Sequence, residues 1–293
     1  MITLTKNTVR ALVVAGAMAV SSAAALAAGG GVHVEKQDWS FSGPFGKFDK
    51  AQLQRGFQIY KEVCSSCHSL EYIAFRNLGE EGALGYNEEQ IKALAAEYEV
   101  EDGPNSDGEM FTRPAKPFDR FPSPFANPEE AKAANGGAYP PDLSLITKAR
   151  AANVGPDLHN QLLTDLVRMI WHPITTYQEY GADYVYSLLT GYKDEVPAEL
   201  AEKVGDKHYN PFFANGVAIG MAPPLSDELV EYTDGTPMTL EQYAKDVTAF
   251  LMWTAEPKLE ERKRVGINAL IFLIVFAGLL FFTKRKLWSN VDH

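Results

Sequence analysis

Hydrophobic positions along the chain fall into three kinds of pattern. Two runs carry no charge: an Ala-rich stretch over residues 11–26 and a second, rich in Leu, Ile and Phe, over residues 265–282. Between them lie stripes at helical spacing. Leu53, Phe57, Tyr60 and Val63 recur behind Asp49, a good N-cap residue, and predict a helix that leads into Cys64. Residues 87–98 predict another helix, and Leu162, Leu163, Leu166, Val167, Ile170 and Trp171 an amphipathic one over 160–171. A helix over 184–189 is stopped near Gly191. Thr239 and Gln242 have the spacing of a capping box. The stripe Leu240, Tyr243, Ala244, Val247, Phe250 and Leu251 follows, ends at Trp253 and is broken by Pro257. This last helix is expected to cross the first.

The remaining segments lack a period. Residues 28–48 are rich in Gly and aromatics (Trp39, Phe41, Phe45, Phe48) and predict an extended arm, packed on the domain or on a partner. Residues 97–109 hold six acidic and no basic residues with Gly and Pro between them, and predict a solvated loop. Residues 111–128, with five prolines, predict a loop wrapped over the surface. The chain is therefore expected to be mostly α with long loops.

The two apolar runs differ in character. Lys6 and Arg10 precede the first, and Ala25-Leu26-Ala27 has the pattern of a signal cleavage site, so residues 1–27 are expected to be a signal peptide. The second has eighteen residues, about 27 Å as a helix, close to the hydrocarbon thickness of a bilayer. Arg262, Lys263 and Arg264 stand before it, Lys284, Arg285 and Lys286 after it, and Trp288 suits an interfacial anchor. The expected order is an exported domain over 28–260, a transmembrane helix over 265–282 and a cytoplasmic tail over 283–293. In a bacterium this places the domain in the periplasm, held to the inner membrane by a single pass.

Net charge changes the list of partners. The chain carries −11, and loss of Lys6 and Arg10 with the signal makes it −13. Such a balance argues against nucleic acid and for a basic partner; residues 97–109 are one surface on which it could dock.

The chemistry lies in Cys64-Ser65-Ser66-Cys67-His68, which contains both cysteines of the chain. This is the spacing of c-type haem attachment. On a helical turn the two thiols share one face and reach the two vinyl groups of a single porphyrin, and the next residue presents its imidazole to the iron. A structural zinc site wants a second ligand pair, and a thioredoxin-like pair wants a βαβ context. A plain disulfide leaves His68 without a purpose. Two further segments suit the rim of a flat cofactor: Pro140 and Pro141, followed by Asp142 as a cap for the next helix and by Arg150, whose guanidinium can pair with a propionate; and Gly220-Met221-Ala222-Pro223-Pro224. A methionine on so constrained a loop can serve as sixth iron ligand; His159, His172 and His208 compete for that role.

These patches, in this order, resemble the cytochrome c1 family, the membrane-anchored haem c subunits of cytochrome bc1 complexes. The resemblance rests on Arg55-Gly56-Phe57-Gln58-Ile59-Tyr60 leading to Cys64–His68, on Pro140–Ser144 with Arg150, and on Asp183-Tyr184-Val185 through Tyr192. It continues with Ile219–Pro224, Ala244–Val247, Trp253–Pro257 and Arg262–Arg264. It implies a cytochrome c-like haem domain with one covalent haem c, thioethers at Cys64 and Cys67, His68 as proximal and Met221 as distal ligand. It further implies a pocket that includes Asn135, Pro140, Pro141, Arg150, Tyr184, Leu188, Leu189, Phe213 and Pro224. Residues 97–130 and 151–182 look longer than in mitochondrial members, and the further cysteine pair of some bacterial members is missing.

The implied role is electron transfer from a Rieske iron–sulfur protein to a soluble basic cytochrome c. The chain would act beside cytochrome b in a dimeric ubiquinol–cytochrome c oxidoreductase, with no catalysis of its own. A ligand-binding haem sensor or enzyme would need a displaceable sixth ligand, which the rigid Met221 loop disfavours. Another anchored monohaem subunit of a membrane oxidase or reductase would lack the patches at 55–60, 140–144 and before the anchor.

Overall fold

The computed structural model describes residues 32, 34–150 and 179–289. The signal segment and the predicted helix over 160–171 lie outside these residues.

Helix α1 (Lys50–Glu62) starts where predicted, with Asp49 accepting from the Gln52 amide at 2.7 Å. Its buried face is Leu53, Gly56, Phe57, Ile59 and Tyr60. It ends one residue before Val63, which is only half-buried. After a 3₁₀ turn at Phe75–Gly79 comes α2 (Glu88–Ala95), where Asn87 and Gln90 form a reciprocal capping box. Further helices follow: α3 (Pro128–Ala134) and α4 (Ile146–Ala149), then α5 (Tyr180–Thr190) and α6 (Ala201–Val204).

The acidic segment is more ordered than its composition predicts. Strand β1 (Glu99–Asp102) pairs antiparallel with β2 (Phe111–Pro114), Glu99 opposite Pro114 and Asp102 opposite Phe111. Arg113 makes this possible: it bonds Asp102 and reaches Asp119 at 2.6 Å, so the hairpin carries its own counter-charge. The Pro-rich stretch is not confined to the surface either. Phe121 is buried, its ring 4.3 Å from that of Phe75. A second small hairpin joins β3 (His208–Tyr209) to β4 (Ala218–Ile219).

Helix α7 (Leu240–Ala255) is the centre of the domain. Tyr243, Val247, Phe250 and Trp253 are fully buried, and α1, α4 and α5 all pack on it. It meets α1 as expected, with Phe57 and Tyr60 against Phe250 at 5.5 and 5.8 Å. Thr239 caps α7, but Gln242 does not reach back to complete a box; its side chain donates to Asp246 at 2.8 Å. Asp246, wholly buried between α7 and α1, also accepts from Arg55, Tyr232 and Gln52. The arm packs on the domain: Trp39, Phe41 and Phe48 are buried, and the Trp39 indole donates to Asp183 at 2.7 Å.

Pro257 separates α7 from α8 (Leu259–Leu287), 29 residues or about 43 Å long. The helix begins six residues before the uncharged run. Its apolar window has mean hydropathy 2.6 and is entirely uncovered by the domain, as expected of a helix that meets lipid.

Candidate haem-binding site

Cys64, Ser65 and Ser66 form a 3₁₀ turn that continues α1, with the Cys67 and His68 amides both donating to the Cys64 carbonyl at 3.2 and 2.9 Å. In such a turn residues three apart eclipse one another, so the two thiols fall on one side more closely than on an α-helix. The serines tie the turn to the helix: Ser65 Oγ donates to Lys61 O and Ser66 Oγ to Val63 O. Burial, then the neighbouring Cys67, pushes the Cys64 thiol up to about 12, so it stays protonated. Among the described residues no three His, Cys, Asp or Glu side chains converge.

His68 is oriented from two sides. The Tyr60 hydroxyl donates to its carbonyl at 3.0 Å, and its Nδ1 lies 2.8 Å from the Pro141 carbonyl. A carbonyl only accepts, so Nδ1 carries the proton. Burial lowers the imidazole below its ordinary range, outweighing the Pro141 carbonyl and Asp142, which pull upward. The ring is therefore neutral near pH 7 with its lone pair on Nε2, the form a metal-ligating histidine requires.

Asp142 does not cap a helix; α4 begins four residues later with Leu145 at its N-cap. Its carboxylate instead bridges two segments, accepting from Ser69 Oγ, the Glu71 amide and the Ser144 amide, each at 2.8 Å. Leu143 N donates to Ser69 O, and Tyr72 N to Ser144 Oγ. Residues 68–72 are thus zipped to 141–144, which fixes Pro141 against His68.

The Met221 wall is built separately. Asn210, fully buried, holds the 3₁₀-like turn 210–213 to the end of α5 by donating to Leu188 O at 2.8 Å. The Ala214 amide donates to the Tyr184 hydroxyl. Gly191 lets this loop close in, because a Cβ there would meet the Phe212 ring at 2.3 Å. Tyr192 donates to the Met221 carbonyl at 3.1 Å. The two walls meet at Gly220, where an added Cβ would lie 3.4 Å from that of Ala138, in the segment that leads to Pro140 and Pro141.

Tyr184 is buried, and Leu188, Leu189, Phe213, Met221 and Pro224 are half-buried. Pro140 lines a recess of about 210 Å³ together with Cys67, Ser69, Ala131 and Tyr139. Asn135 sits at the C-cap of α3, its amide donating to Ala131 O. Arg150 is exposed at the end of α4 and donates to the Ala149 carbonyl at 3.4 Å. His208 is exposed on β3, whereas His159 and His172 lie outside the described residues. Residue patterns alone missed the bridging role of Asp142 and the supports Tyr192 and Asn210. Asn210-Pro211 is a turn signal that could have pointed to the last.

The donor set fits a c-type haem. Two thiols share one side of a turn, a neutral imidazole follows, and α5 with the Met221 loop contributes a thioether and half-buried apolar side chains.

A model of the cytochrome C1 family matches residues 39–291. The chain belongs to the cytochrome c1 family. A cytochrome c1 from Rhodospirillum rubrum is 45% identical over 97% of this chain and 98% of its own length. One from Blastochloris viridis is 45% identical over 94% and 93%. A protein of Bradyrhizobium diazoefficiens named cytochrome b/c1 is 52% identical over 96% of this chain, which spans only 39% of that longer protein. Membership in this family implies a c-type haem, and α8 fits a membrane-anchored protein of this kind.

Proposed function

We propose that this protein carries one covalent haem c on Cys64 and Cys67, ligated by His68 and Met221, and passes single electrons from a Rieske iron–sulfur protein to a soluble basic cytochrome c. The observation that carries the reading is the His68 imidazole, kept neutral by burial and oriented by the Pro141 carbonyl, directly after two thiols on one turn. Bound there, the haem supplies a one-electron iron couple whose potential is raised by Met/His ligation. The chain's own residues hold and shield it. Asp142 and Pro141 set the plane of the His68 ring, Tyr192 restrains the Met221 loop, and Leu188, Leu189, Phe213, Pro140 and Pro224 exclude water. Asn135 and Tyr184 support these walls, and exposed Arg150 would pair with a propionate.

As a member of this family the chain is read as a subunit of a bc1-type ubiquinol–cytochrome c oxidoreductase, working beside cytochrome b and a Rieske protein in a dimeric complex. The Bradyrhizobium relative, whose name joins b and c1, supports cytochrome b as a neighbour. The domain lies in the periplasm and residues 283–293 in the cytoplasm. The signal pattern of residues 1–27 favours this orientation, and Lys284, Arg285 and Lys286 on the tail side agree with the positive-inside rule. The exposed carboxylates Glu99, Glu101, Asp107 and Glu109 would speed encounter with a basic acceptor.

The test is the absorption spectrum of the membrane-purified protein, oxidised and reduced, for wild type and Met221→Leu. Low-spin wild type, with loss of the weak methionine–iron band and a lower potential in the variant, supports the ligand assignment. An unchanged variant spectrum removes Met221 from it. Electron transfer to a basic cytochrome c should slow steeply with added salt; a flat salt profile would count against acidic docking.

A further inference from the structure

The aromatic arm is not uniformly buried. Of its four large rings three enter the core, but Phe45 is 71% exposed. The loop that carries it is held in shape. Ser42 N donates to Trp39 O at 3.1 Å, and Lys47 N to Ser40 O at 3.0 Å, which closes the segment on itself. Gly43 takes φ +72°, and a Cβ on Gly46 would lie 2.1 Å from the Ser42 carbonyl, so both positions need glycine. The loop is also latched to the root of α8. Lys263 Nζ donates to Phe41 O at 2.6 Å and Gly46 O at 3.3 Å, on either side of Phe45, and the Phe48 amide donates to Glu260 at 3.0 Å.

Lys263 stands two residues before the uncharged run, a rise of about 3 Å. Phe45 is therefore presented where the apolar span begins. Trp288, 56% exposed at the end of α8, stands at the other end. The helical distance from Lys263 to Trp288 is about 37 Å, between the hydrocarbon thickness and the full thickness of a bilayer with its headgroups. Aromatic rings favour both of these levels.

We infer that the loop over residues 42–46 is a second membrane contact, with Phe45 seated in the boundary between lipid headgroups and acyl chains. The occupant is lipid because the loop is latched to the spanning helix at its point of entry, so its exposed ring continues the lipid-facing surface of α8. Besides α8, the loop then fixes the tilt of the haem domain over the bilayer. This inference rests on the reading that α8 spans the membrane.

The test uses the full haem-loaded chain in phosphatidylcholine nanodiscs. Phe45→Cys, Asp107→Cys and Ile274→Cys are each labelled with a nitroxide; wild type treated alike gives the background. Collision with oxygen, which partitions into lipid, is compared with collision with a water-soluble nickel chelate. The expected result is a several-fold lower nickel accessibility at 45 than at 107, with oxygen accessibility approaching that at 274. Nickel accessibility at 45 equal to that at 107 overturns the inference while 274 stays lipid-like. Exclusion of both reagents at 45 overturns it in favour of a protein cover. Aqueous behaviour at 274 removes the spanning reading and this inference with it. The haem spectrum of each variant, unchanged from wild type, reports that the domain has folded.

Discussion

Gly56→Ala tests whether α1 and α7 are pressed together at the level of a bare backbone. Gly56 lies two turns before Cys64, on the face that meets α7. A Cβ there would lie 2.1 Å from the Asp246 carbonyl oxygen, 2.7 Å from its carbon and 2.7 Å from Phe250 Cβ. Two of those atoms are helical backbone and the third is fixed to it, so no rotamer relieves the clash. Ordinary contact begins near 3.4 Å, so the helices must part by about 1 Å or more. A gap of that size forfeits a quarter to a half of the dispersion energy across it. Here it would open beside Leu53, Phe57, Tyr60, Val247 and Phe250. Overpacking a well-packed core costs about 1–3 kcal/mol, and a backbone clash belongs at the top of that range or above it. Ala improves helix propensity by about 1 kcal/mol. The net expectation is a loss of about 2 kcal/mol, or some 4–8 °C in Tm for a domain of this size. Thermal unfolding of the holoprotein, followed by far-UV circular dichroism, measures it. An unchanged or raised Tm would mean that propensity wins and that the two helices are not in backbone contact, and the account of the core would fail with it.

Three other outcomes are expected. Asp246→Ala leaves Arg55 and three further donors without their buried acceptor and should cost about 3–5 kcal/mol. Asp246→Asn, which keeps an acceptor, should cost less in denaturant titration, and equal small losses for the two would dismiss the network. Tyr192→Phe removes the hydroxyl that holds the Met221 carbonyl. At about 0.5–1.5 kcal/mol it should raise the fraction of detached methionine roughly 2- to 13-fold, read from the methionine–iron band on heating. Acid should loosen the junction between domain and anchor. Burial alone would raise Glu256 and Glu80, but hydrogen bonds from Arg262 and Lys148, and from Lys258 and Asn77, hold both below the ordinary 4.5. Depressed carboxylates stabilise the fold above their unfolded pKa, and that contribution fades as pH falls through the folded values. Amide exchange over residues 256–264, corrected for intrinsic rate, should therefore rise below about pH 4.5; protection that persists well into acid would refute the pairing.

The helices that carry the core were legible because each buries one face. Leu53, Phe57 and Tyr60, and likewise Tyr243, Val247 and Phe250, repeat near 3.6 residues and point inward, and Asp49, Asn87 and Thr239 cap where their side chains suggest. Contacts between distant polar groups were not legible. Gln242 fits a capping box locally but turns to Asp246, because a buried carboxylate binds it more strongly than an exposed amide. Asp142 fits a cap but bridges two segments instead. The acidic run had no visible route to a strand, since the charge that neutralises it, Arg113, lies eleven residues from Asp102. Within the site, spacing alone put Cys64, Cys67 and His68 on one turn, as the structure has them. The supports of the Met221 wall, Tyr192 and Asn210, act through single hydrogen bonds that no local pattern encodes.

The distribution of these supports says what the fold secures. The turn that holds Cys64 and His68 is the end of α1, α1 is pressed on α7 through Gly56 and Asp246, and α7 leads within four residues to the membrane helix. The root of that helix is bonded back to the domain at Glu80, Glu81, Glu256 and the arm. Each step is a buried or latched contact, so the attachment turn is held in a fixed position relative to α8. The Met221 wall is attached differently, through small hairpins and hydrogen bonds from α5 rather than through the main helix pair. Under the proposed ligation, disturbing α5 should therefore release Met221 while the thioethers and His68 stay in place. Disturbing the contact of α1 with α7 should move the whole site relative to the membrane.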